Sequence, residues 1–285
     1  MHPLYLIEGT TNIDPEQLYG IEYNDPEYYP EFQNKIAFIK NIIQEKLDKK
    51  EGYVILRVYD GEFHFLNCRV VGNGPRRHFS RPLTPEFVEK FREGCYRVDL
   101  ISVQLNINMI GQYDNIFPDR PMDFPMDIIY GLVANRWLFK TFKNRIALIG
   151  GEEKMTIIRN LMSHDEYQKY IGCDYFTDYI EVPERFSCDN TDALVAAIGS
   201  QIKQSKADVF LFGIGIAKMA IAWQFKNYKD AVFIDIGCGM SALAGTCGID
   251  RPYFGGWKNY RITNYDYGKM DAMDFNVNNG NVVIL

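Results

Sequence analysis

What the sequence lacks narrows it first. Its six cysteines (Cys68, Cys95, Cys173, Cys188, Cys238 and Cys247) form no C-x-x-C pair, and none lies near a histidine at zinc-ligand spacing. A zinc site and a disulfide framework therefore give way to free thiols. No apolar run approaches the roughly 20 residues of a membrane span. The start MHPLYLIEGTTNI has neither the basic region nor the long apolar region of a secretory leader. Excess positive charge is also missing: 31 Lys+Arg stand against 37 Asp+Glu, a formal charge of −6. Proteins that live on phosphate backbones show a basic face, so no nucleic-acid partner is expected. The one dense basic cluster, Arg76, Arg77 and Arg81 in GPRRHFSR, reads either as a solvated loop or as an anion grip. The nucleophile-elbow signature of Ser-His-Asp hydrolases is absent. The expectation is a soluble, cytoplasmic protein with no transmembrane segment.

What is present suits a packed α/β domain. Of 285 residues, 47% are hydrophobic and 24% charged, enough apolar material for a core. We expect one catalytic domain over 1–285, with an N-terminal arm over 1–33 and an irregular C-terminal extension over 240–285. From Asn34, Ile36, Ile39, Ile43 and Leu47 recur at helical spacing. YVILRVY reads as a strand whose exit loop is Asp-Gly-Glu, and Thr84-Pro85 as the cap and first position of a helix. LISVQLNINMI predicts a strand, the three prolines of NIFPDRPMDFPMD a loop, and IIYGLVANRWLFKTF one helix. RIALIGG reads as a buried strand followed by the helix EEKMTIIRNLM. A polar, aromatic crossover then leads to TDALVAAIGSQIKQ, a helix capped by Asn190 or Thr191. DVFLFGIG, IAKMAIAWQFKNY and DAVFIDIG give strand, glycine turn, helix and strand, the unit of a parallel sheet. The fold class is α/β: a Rossmann-like, mostly parallel sheet flanked by helices.

Three places along this pattern carry candidate chemistry. Asp60 and Glu62 flank Gly61 where the chain leaves a strand, and both carboxylates can turn toward one point. A divalent cation that keeps several waters needs one or two such ligands plus phosphate oxygens. Arg57, three residues earlier, can fix a phosphate or a carboxylate. His64 would share the face of Glu62 if the strand continued. The alternative is a plain acidic turn. In FLFGIGIAK, Gly213 and Gly215 sit between a strand and a helix start, where backbone can approach an anion, and Lys218 lies in the first helical turn. Close strand–helix packing explains the same glycines. Asp235, Gly237 and Gly239 in FIDIGCG are similar to the methyl-donor loop of Rossmann methyltransferases, with S-adenosylmethionine as the implied cofactor. Only about 46 residues follow Gly239, too few for the strands such an enzyme places after that loop. Asp235 stands as a candidate catalytic residue because it ends a strand. Cys238 has no histidine near it in sequence and reads as a buried thiol.

Taken in order, these segments resemble the GT-D fold glycosyltransferases, first catalogued as a bacterial domain of unknown function. The resemblance rests on RVYDGEF, on VPERFSCDNTDALVAAI, and on DVFLFGIGIAKMAIAWQF followed by AVFIDIG, spanning about Tyr53 to Gly239. It implies a GT-D type fold and a hexosyl- or pentosyltransferase of glycan biosynthesis. The donor implied is a nucleotide diphosphate sugar, usually UDP-linked, with Mn2+ or Mg2+ as cofactor. Asp60 and Glu62 map onto the family's metal-binding D-x-E, and Arg57, Asp60, Gly213, Gly215, Lys218 and Gly237 would lie against the donor. A glycan or lipid-linked acceptor is implied, and the chain works alone or as a homodimer. Bacterial members often carry His after Asp-Ile-Gly. This chain has Cys238 there, so no role of that His transfers. A non-catalytic nucleotide-binding module is the reading outside enzymology.

Overall fold

The computed structural model describes residues 28–69, 78–103, 107–134, 136–183, 185–246, 257–267 and 282–285. At its centre is a seven-stranded sheet: β1 (Tyr53–Val58), β2 (Leu100–Val103), β3 (Phe124–Pro125), β4 (Ile146–Gly151), β5 (Asp178–Val182), β6 (Val209–Gly213) and β7 (Val232–Asp235). The strands are parallel throughout, in the order β3-β2-β1-β7-β6-β4-β5. A parallel sheet is covered on both faces, which is why IALI and VFLF read as unbroken apolar runs. Tyr53 to Ile55 register with Val232 to Ile234, so an early strand and a late one lie side by side at the centre.

The helices are α1 (Tyr28–Lys49), α2 (Asp60–Leu66), α3 (Pro85–Arg97), α4 (Ile107–Ile116), α5 (Asp127–Ala134), α6 (Trp137–Thr141), α7 (Glu152–Leu161), α8 (Asp165–Ile171), α9 (Thr191–Gln204), α10 (Lys218–Ile221) and α11 (Gly239–Leu243). They sort into two cores. Ile55, Leu148, Leu211 and Ile234 pack against α1 and α5 to α8, with α11. Val54, Leu56, Phe210 and Phe233 pack on the opposite face against α2, α3, α9 and α10. The chain leaves β1 and β6 toward the second face but leaves β4 and β7 toward the first. Along β1, β7, β6 and β4 the exit face therefore alternates from strand to strand, and the crevices this opens at their carboxyl ends include one between β1 and β7 and one between β6 and β4. Such reversals are where open α/β sheets take ligands.

Several sequence expectations hold locally. Thr84 Oγ1 accepts the Phe87 N–H and Pro85 opens α3; Asn190 caps α9 through the Ala193 N–H. Others need correction. Asp-Gly-Glu is the first turn of α2 rather than an exit loop, so His64 lies on a helix and does not share the face of Glu62. The expected strand LISVQLNINMI is β2 alone, and from Ile107 the chain is helical. Phe124–Pro125 adds an edge strand inside the proline-rich loop, a position where a sheet tolerates proline. IIYGLVANRWLFKTF is two helices, parted where Arg136 takes φ +64°. The aromatic crossover holds α8, stopped by Gly172 at φ +90°, and β5. Helix α1 begins at Tyr28, inside the expected arm, and residues 1–27 lie outside the described ones. In the C-terminal extension, β8 (Asn259–Arg261) and β9 (Val282–Ile284) form a parallel pair. Arg76, Arg77 and Cys247 also lie outside the described residues.

Candidate functional site

The β1/β7 crevice is built from four charged side chains delivered by three segments. Asp235 ends β7 and, by alternation with Phe233, faces the second core. Its Oδ2 accepts from the Lys218 Nζ at 2.7 Å and from the Arg57 backbone N–H at 3.2 Å, while Oδ1 accepts the Gly237 N–H at 2.9 Å. Lys218 reaches it from α10 and also donates to Glu62 Oε1 at 2.7 Å. The other oxygen of Glu62 accepts the Tyr59 N–H at 3.2 Å, bonding back across the first turn of α2. Lys218 is 2% exposed, Asp235 1% and Glu62 8%. All four carboxylate oxygens thus meet donors from the chain itself, the condition under which buried charge is tolerated. Burial alone would raise the pKa of Glu62, but the Lys218 and Arg57 cations outweigh it and hold the carboxyl below its ordinary range.

Arg57 points the other way. Its guanidinium lies 5.0 Å from the centre of the Tyr130 ring and Nη1 is 3.7 Å from Met126 Sδ, both in the first core. Burial opposes its charge, yet the Tyr130 hydroxyl, Asp235 and Glu62 more than offset this and strengthen the hold on the proton. Gly237, at φ +43°, leaves its α-carbon against this group, and a β-carbon there would stand 1.9 Å from Nη2. The glycine loop after β7 is therefore closed by Arg57. A methyl-donor loop needs that surface open for cofactor, so this observation weighs against the methyltransferase alternative.

Asp60 is placed differently from its partner carboxylate. It is exposed at the start of α2, with Oδ1 accepting the Gly61 N–H at 2.6 Å. Among the described residues, no group of three or more His, Cys, Asp and Glu side chains is arranged to hold a metal. A cation bound at this edge would meet the outward carboxylate of Asp60 with waters and phosphate oxygens, a donor set that suits Mg2+ or Mn2+. Glu62, turned inward onto Lys218, does not fit as a second ligand in this arrangement.

No family model matches the sequence, and no curated protein matches it. Among solved structures, the chain is similar to a new glycosyltransferase (DUF1792) from Streptococcus sanguinis. That similarity has 12% identity and a TM-score of 0.49, over 86% of this chain and 96% of that one. A second, a selenomethionine-substituted structure of domain of unknown function 1792, gives 10% identity and a TM-score of 0.42, covering 69% and 76%. At such identities no residue role passes from those proteins to this one.

The β6/β4 crevice lies beside the charged cluster. Gly213, Ile214 and Gly215 form one wall, and Gly151, Lys154, Val182 and Pro183 the other, with His78 over the mouth. Gly215 takes φ +59°, and its α-carbon lies under the His78 ring, where a β-carbon would meet Cε1 at 2.5 Å. His78 is held through Nδ1 by Ser187 Oγ at 3.1 Å, and Lys154 Nζ donates to Ser241 Oγ at 2.6 Å. Sequence reasoning placed Gly213 and Gly215 here but missed Lys154, which no motif marks, and read Val182 only as the start of the crossover segment VPERFSCDN. It had assigned His78 only to the basic loop. Arg81, from the same loop, bonds the Asp189 carbonyl oxygen at 2.8 Å. Cys238 is half-buried and unbridged.

Proposed function

We propose that this protein is a glycosyltransferase that moves a sugar from a nucleotide diphosphate donor, UDP-linked, to a hydroxyl of a glycan or lipid-linked acceptor. The observation that supports this best is the gathering of Arg57, Asp60, Glu62, Lys218 and Asp235 at the carboxyl ends of β1 and β7, beside the glycine-walled β6/β4 crevice. In this reading the donor lies in the β6/β4 crevice along Gly213 and Ile214, with the His78 ring, which covers the Gly215 α-carbon, at its side. Asp60 would hold Mn2+ or Mg2+ at the edge, and the ion would there supply charge neutralisation for a diphosphate leaving group. The chain's own part is preorganisation: Lys218, Glu62, Asp235 and Arg57 form a fixed, charge-balanced cluster beneath the site, and groups that are already oriented need no rearrangement during reaction. Asp235 serves by fixing Lys218 and the Arg57 backbone. With both oxygens engaged and 1% exposed, it has no route to an acceptor hydroxyl in this arrangement, so deprotonation falls to another group.

The test is calorimetric titration with UDP and with S-adenosylmethionine, each with and without Mn2+, on the wild type and Asp60→Asn. UDP binding that requires Mn2+ and weakens at least tenfold in Asp60→Asn is the expected result. Metal-independent S-adenosylmethionine binding would sink the proposal.

A further inference from the structure

The ammonium of Lys218 stands 2.7 Å from Glu62 Oε1 and 2.7 Å from Asp235 Oδ2. That is the bridging place a metal takes between two carboxylates brought together from different segments. The remaining oxygens are spoken for by the Tyr59 and Gly237 N–H groups, and Asp235 Oδ2 also accepts from Arg57. The lysine is not a loose side chain that happens to reach this point. Its helix is pressed against α3 at Gly94, where a β-carbon would meet the Met219 carbonyl oxygen at 1.9 Å, so the stem of Lys218 is fixed by backbone contact.

We infer that Lys218 is the resident cation of this site, that Glu62 belongs to it rather than to a divalent metal, and that the pair Glu62–Asp235 is a latent divalent-cation site which the ammonium keeps shut. Charge balance agrees. Glu62 and Asp235 are paired directly with Lys218 and also feel the charge of Arg57, two negative against two positive. A divalent ion on Glu62 Oε1, at a metal–oxygen distance of about 2.1 Å, would lie no more than about 5 Å from the ammonium that shares the oxygen. It would add two positive charges to a buried neutral cluster. Removing the ammonium reverses this: two buried carboxylates are left without their cation, and a small oxygen-seeking metal ion can satisfy both.

The inference rests on the geometry of the cluster and not on the transfer proposed above, so the experiment uses Mn2+ alone, with no nucleotide. The free Mn2+ signal is followed by electron paramagnetic resonance as protein is added. The wild type is expected to remove no stoichiometric Mn2+, Lys218→Ala to take up one ion per chain, and Lys218→Ala/Glu62→Gln to lose that uptake. Folded Lys218→Ala that ignores Mn2+ would overturn the inference. Should Lys218→Ala fail to fold, the wild type and Glu62→Gln decide: wild-type uptake that disappears in Glu62→Gln overturns it, whereas no uptake, or uptake that survives Glu62→Gln, supports it.

Discussion

Gly237 and Arg57 hold each other in place, and the pair shows how much single residues decide here. At φ +43° and with Arg57 Nη2 where a β-carbon would go, Gly237→Ala meets both strain and a clash with a buried cation. We expect a loss of about 1–3 kcal/mol in urea unfolding. Gly61 is the contrast: it lies inside α2 with nothing within 4 Å of an added β-carbon. Gly61→Ala is expected to be neutral or to gain up to about 1 kcal/mol. Glu62 carries a pH signature. Its folded pKa lies below the ordinary 4.5, so its contribution to stability is present above that value and is lost as pH falls through the folded pKa. Urea midpoints measured from pH 7 downward should therefore fall below about pH 4.5, and Glu62→Gln should flatten that acid limb.

At the scale of elements, the site depends on α10 staying against α3. Gly94→Ala would push the Met219 carbonyl away and carry Lys218 with it; the expected loss is about 2 kcal/mol or more, read from thermal or urea unfolding. Thr84→Ala, which removes only the cap of α3, should cost about 1 kcal/mol and leave ligand binding unchanged. These elements were legible to different degrees. β1, β4, α9 and the β6–β7 unit announced themselves by unbroken apolar runs and capping residues. The start of α2 hid behind a strand exit, although acidic residues at the first and third positions of a helix are its ordinary opening. The run after Leu100 was ambiguous because a short apolar stretch fits strand and helix equally. The segment Gly215–Asn227 alternates 3-10 and α turns, which periodicity reads as one helix.

For the molecule as a whole, the sequence carried each charged residue of the site but not their pairing. Glu62, after β1, and Lys218, after β6, meet only because β7, which carries Asp235, lies between those two strands in the sheet, and nothing local encodes that order. The inward turn of Glu62, which separates it from Asp60, follows from the same long-range contact. The order of strands has a further consequence, in time rather than in space. During synthesis β1 finds β2 early, but its other edge waits for β7, whose first residue follows Val58 by 174 positions. At about 5–20 residues per second that wait lasts roughly 10 to 35 s, during which a buried central strand exists as an open edge. The nascent chain is thus most vulnerable to misassociation while its ion cluster is still incomplete, and a holding chaperone acting within that window would raise its folded yield.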